Sequence, residues 1–80
     1  MLWPELRQKA MELLQVPSDI EITTRGIPIQ ERLFVESHIK MIDNHPRKEN
    51  MTIAEKEFRI NVVQPFYKRL KAYVLLKENF

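Results

Sequence analysis

Along the first part of the chain, apolar residues recur in steps of three and four. Trp3, Leu6, Ala10, Leu13 and Leu14 share one side of a helical wheel, while Glu5, Gln8, Lys9, Glu12 and Gln15 take the other, the pattern of an amphipathic helix over residues 4–15. Pro4 suits its first turn, where a missing N–H removes no bond. Val16-Pro17-Ser18-Asp19 ends it, because a proline drives the preceding residue away from helical angles.

The periodicity then changes. Ile20, Glu21, Ile22 and Thr23 alternate apolar and polar with β-branched side chains, which predicts a short extended or β segment near residues 20–24. No second strand is evident, so such a segment would pair with another copy of the chain or remain a connector. A capping box formed by Ser18 and Glu21 is a second reading of the same stretch, with little room for a helix before Thr23-Thr24-Arg25-Gly26.

Gly26 is the only glycine. A second helix is predicted from Pro28 to about Asp43, stopped by Asn44-His45-Pro46. Phe34, Val35, His38, Ile39, Met41 and Ile42 span an arc of roughly 160°, opposite Arg32, Glu36, Lys40 and Asp43. A face so wide implies a helix covered from two sides, at the centre of a bundle.

After a polar loop over residues 46–50, Thr52 and Glu55 form a capping box that opens the last helix. Its apolar series runs Ile53, Phe58, Val62, Phe66, Leu70, Val74, flanked by Val63, Tyr67 and Tyr73. The phase of this series does not change at Pro65, which falls on the polar side with Asn61, Lys68 and Ala72. One long helix kinked at Pro65 is therefore expected rather than two helices. From Thr52 to Glu78 it would extend about 40 Å, beyond the ~30 Å breadth of a compact domain this small, so part of it should overhang or meet a second molecule.

The expected fold class is thus mainly α, a small three-helix module forming a single domain over residues 1–80. No internal repeat or low-complexity stretch interrupts it. With 80 residues, 44% of them hydrophobic, the core can contribute a net stability of only ~3–5 kcal/mol, which favours a dimer or a bound partner. Cysteine is absent, so no disulfide or thiolate site reinforces the fold. The amino-terminal residues lack the basic and apolar runs of a secretion signal, and charges break up every apolar run well short of the ~20 residues that cross a bilayer. A cytoplasmic location without membrane contact is the expectation.

The familiar chemical motifs do not occur. A chain with one glycine has no phosphate-cradling glycine loop, and neither H-E-x-x-H nor C-x-x-C is present. His38 and His45, with Asp43 nearby, are the nearest approach to a metal set. Yet His38 sits within the apolar arc and His45 beside Pro46 at the helix end, so the two should point apart; His38 reads as a core histidine with a satisfied hydrogen bond. No catalytic residue, cofactor or metal is predicted.

The remaining candidates are contact residues. Arg59 falls inside the apolar stripe of the last helix, four residues after Glu55, in the favourable order for an ion pair; it is a candidate interface anchor. Lys68, Arg69 and Lys71, interleaved with Tyr67 and Tyr73, make a basic and aromatic face, and Trp3, with Leu2, Leu6 and Leu13, reads first as a cap on the core and second as a partly exposed binding patch. The predicted function is a small non-enzymatic interaction protein that binds and modulates or inhibits a larger protein, as a homodimer. The alternative is a nucleic-acid-binding factor using the basic and aromatic carboxy-terminal helix. A formal net charge of +2, with both signs interspersed, does little to favour it.

Overall fold

The computed structural model describes residues 1–15 and 29–78. Most of these residues are helical, with no strand among them. The segment expected to be extended, residues 20–24, lies outside the described residues, as do the stop at 16–19 and the predicted start at Pro28. Helix α1 spans Trp3–Gln15, α2 Ile29–Asn44, α3 Ile53–Phe58 and α4 Gln64–Glu78, with a π-helical turn, Arg59–Val63, joining α3 to α4 without a break.

Side-chain ties fix the directions. Near the start of α1, Trp3 and Arg7 reach Asp43 at the end of α2, and Arg32 near the start of α2 donates to the Leu14 carbonyl at 2.6 Å; α1 and α2 are antiparallel. Tyr67 donates its hydroxyl proton to the Met1 carbonyl and Lys9 pairs with Glu78 at 2.6 Å, so α1 and α4 run parallel. The result is an up-down-up arrangement in which α1, α2 and α4 all touch one another. Arg32 also supplies a donor to a carbonyl in the last turn of α1, where carbonyls lack helical partners and a positive charge suits the dipole.

Leu6 and Ala10 of α1, Val35, Ile39 and Ile42 of α2, Val63 of the π turn, and Leu70 and Val74 of α4 form the core. The arc predicted for α2 matches this pattern. Val35, His38, Ile39 and Ile42 are buried and Phe34 and Met41 half-buried, because α1 and α4 both pack on that helix.

The capping box is present: Glu55 N–H donates to Thr52 Oγ1 at 3.1 Å, and Thr52 N–H to Glu55 Oε1 at 3.4 Å. It opens a helix whose phase departs from the expected one. The unbroken series through Phe58 and Val62 is corrected by the π turn, where Gln64 N–H donates to the carbonyl of Arg59, five residues back. Pro65 has no N–H, and its ring would collide with the carbonyl four residues earlier in a regular helix. A wider turn just ahead of it relieves that collision and inserts one extra residue into the stripe. Val63, 2% exposed, therefore enters the core where Val62 was expected, and Val62 is half-buried.

Ahead of the π turn the helix leaves the bundle. No residue of α3 is buried; Ile53 is 77% exposed and Ile60 58%. The molecule is correspondingly elongated, 47 × 21 × 16 Å.

The one-residue shift can be checked by mutation. Val63→Ala should lower the unfolding free energy by about 2 kcal/mol and Val62→Ala by about half that or less, measured by urea denaturation. Equal costs would contradict the shifted phase.

Candidate functional site

The loop after α2 folds back against the start of the last helix. The His45 ring packs on Phe58, with centroids 4.8 Å apart, and Arg59 Nη1 donates to the His45 carbonyl. Arg59 is half-buried. It makes no ion pair with Glu55, contrary to the expected i,i+4 pair, because the Glu55 carboxylate turns back to accept from the Thr52 hydroxyl at 3.1 Å. The π turn begins at Arg59 and sets the direction of its side chain into the cleft.

Three concavities share this guanidinium. One, of about 280 Å³, is lined by Trp3, Ile42, Asp43, His45, Pro46, Arg47, Arg59, Val63, Gln64 and Tyr67. A second of similar volume lies between Asn44, His45, Pro46 and Lys48 on one side and Met51, Ala54, Glu55 and Phe58 on the other. The third is a trough of about 470 Å³ lined by Arg47, Lys48, Glu49, Met51, Lys56, Arg59, Ile60 and Gln64, in which four cations face one carboxylate.

Of the contact residues read from the sequence, the structure brings Trp3, Arg59 and Tyr67 together at the first cavity. Trp3 and Tyr67 meet at 6.3 Å between ring centroids and tilt by 55°. The indole N–H of Trp3 donates to Asp43 Oδ1 at 3.1 Å, and Arg7 Nε reaches Asp43 Oδ2 at 2.9 Å. Lys68, Arg69, Lys71 and Tyr73 line none of these concavities.

Arg69, although exposed, and the half-buried Tyr73 are engaged by neighbouring side chains of the bundle. Arg69 lies 4.5 Å over the Phe66 ring and donates through Nε to His38 Nε2 at 3.2 Å. His38 itself is sandwiched between Phe34 and Phe66, at 4.0 and 4.6 Å, and its Nδ1 is 2.6 Å from the Phe34 carbonyl. A carbonyl only accepts and Nε2 receives Arg69, so Nδ1 carries the proton and the ring is neutral. Burial lowers the His38 pKa below its ordinary 6.5; the Phe34 bond opposes this and the Arg69 charge adds to it.

Tyr73 packs on Phe34 at 5.5 Å, with the Lys77 ammonium 5.5 Å from its ring. Burial, then the negative charge of Glu31, pushes its phenol up to about 12, although no hydrogen bond of normal geometry reaches the closed-off hydroxyl. Tyr73 thus presents no open face for stacking, while Lys68 stays exposed and Lys71 half-buried.

Among the described residues no group of three His, Asp or Glu side chains is gathered to hold a metal ion, and no helix is long and apolar enough to cross a membrane. Sequence reasoning did not place His45, Arg47, Lys48 and Gln64 at a common site. Their one signal is a basic loop following a helix stop, opposite a cation lying within an apolar stripe. Compared with known proteins, the chain matches no family model, no curated protein and no solved structure.

His38 generates a pH prediction. Its folded pKa lies below the unfolded value, so its share of stability is complete above about pH 6.5 and is lost as the pH falls from there through the folded pKa. Urea midpoints across pH 4–8 (about four units, one titration wide on either side) should fall through that window, and the fall should be smaller in His38→Asn. An unchanged slope in the variant would remove His38 as its origin.

Proposed function

We propose that this protein is a small non-enzymatic interaction module, dimeric and cytoplasmic, that binds and modulates a larger protein through an acidic segment of that partner. The observation carrying this reading is the start of the last helix. It is held out of the core by its capping box and the π turn, with Ile53 and Ile60 exposed, beside a trough in which Arg47, Lys48, Lys56 and Arg59 face Glu49 alone.

Exposed apolar anchors next to a mainly cationic groove fit a helix or strand bearing leucines and carboxylates. The apolar residues supply affinity and the charges supply orientation and association rate. Dimer formation is supported on separate ground. The core is small, and Leu75 and Leu76 near the other end of the molecule are also exposed, apolar surface that a second copy would cover.

Two measurements test the two halves. Sedimentation velocity at micromolar concentrations should give twice the monomer mass, and a strict monomer would end the dimer reading. For partner binding, a fluorescein-labelled amphipathic peptide with leucines on one face and glutamates on the other should bind with rising anisotropy. The Arg47→Glu/Lys48→Glu variant should weaken it by roughly tenfold or more, and high salt should weaken it further. Equal binding of a lysine-for-glutamate peptide would refute the charge-matched docking.

A further inference from the structure

The cavity between Trp3, Tyr67 and Arg59 holds a half-buried cation with no acid of its own among the described residues. Asp43, the carboxylate that lines the same cavity, already has both oxygens engaged by Arg7, at 3.3 and 2.9 Å, and Oδ1 also by the Trp3 indole. Glu55 is turned to Thr52. Arg59 donates through Nη1 to the His45 carbonyl, which anchors the guanidinium, and its other donors have no partner among the described residues. A partly desolvated guanidinium with a free planar edge is suited to a bidentate carboxylate. Arg47, on the loop lining the same cavity, adds a second positive charge.

The opposite part of the cavity is aromatic. Because the Trp3 N–H is committed to Asp43, what the indole offers a ligand is carbon surface. Trp3 and Tyr67, tilted by 55°, form a corner in which one flat ring can stack on one face and meet the other edge-on. A volume of about 280 Å³ lies just below the ~300 Å³ at which cavities for drug-sized ligands begin. It suits one ring with a short acidic arm rather than a nucleotide.

We propose that this cavity is a binding site for a small aromatic carboxylate, its ring against Trp3 and Tyr67 and its carboxylate on Arg59 and Arg47. The site does not depend on the partner-binding reading. A small ligand and an acidic peptide are titrated separately, and failure of one leaves the other standing.

Trp3 is the only tryptophan, so its fluorescence reports directly on the cavity. Titration of the full chain with 3-phenylpropionate at constant ionic strength should give a saturable change with a Kd on the order of 1 mM or tighter. The uncharged 3-phenylpropionamide should bind roughly tenfold more weakly. Inorganic phosphate, a charge without a ring, should give no saturation over the same range. Arg59→Gln should weaken the carboxylate by roughly tenfold while leaving the amide unchanged. Arg47→Gln, at an exposed loop position and so harmless to folding, should weaken it several-fold. A strictly linear response to about 20 mM, equal affinity for acid and amide, binding of phosphate as tight as that of the aromatic acid, or indifference to Arg47→Gln would each overturn the proposal.

Discussion

The arrangement of the last helix depends on one missing hydrogen-bond donor. Pro65 cannot continue a regular helix, and the chain widens into a π turn over Arg59–Val63 instead of separating into two helices. That single extra residue determines which side chains face inward on either side of it. Val63, Leu70 and Val74 enter the core, whereas Phe58 and Ile60 are left exposed. Arg59, the first residue of the turn, comes to lie against the His45 carbonyl. The core contribution of the helix and the position of the cleft thus have a common origin.

Around that helix the bundle is tied mainly at its polar edges. Asp43 gathers Trp3 and Arg7 across the α1–α2 contact, Arg32 closes the end of α1, and Lys9 meets Glu78 across α1 and α4. Such exposed pairs contribute little individually; their main effect is to select one relative placement of helices whose apolar faces alone would tolerate sliding. His38 is the exception, a buried polar ring between two phenylalanines with both nitrogens matched to partners. Burying it satisfied and neutral avoids the cost of an unpaired polar group and makes the core sensitive to acid.

At the opposite edge, charge is distributed unevenly. Acidic side chains near the cleft are consumed locally, Asp43 by Arg7 and Glu55 by its own cap. Arg47, Lys48, Lys56 and Arg59 therefore dominate its surface. A chain with nearly balanced charges can in this way present a locally cationic groove. Similar local pairing engages two of the carboxy-terminal cations: Arg69 serves His38 and Phe66, and Lys77 lies against Tyr73.

The helices at 3–15 and 29–44, the capping box at Thr52 and the buried face of α2 were legible in the sequence, because each rests on interactions within a few residues or on a periodicity that burial must respect. The position of Pro65 announced a disturbance, but the π turn and its one-residue shift of phase depended on packing, since only the core distinguishes burying Val62 from burying Val63. The pairing of Arg59 was misread for a related reason: Glu55 had a competing partner in its own cap. The clustering of Trp3, Arg59 and Tyr67 with His45 and Arg47 joins residues far apart in the chain, and no local rule relates them. Local sequence determined which segments coil and which faces are apolar; tertiary structure alone decided which polar groups meet, because that follows from the mutual placement of helices set by long-range packing.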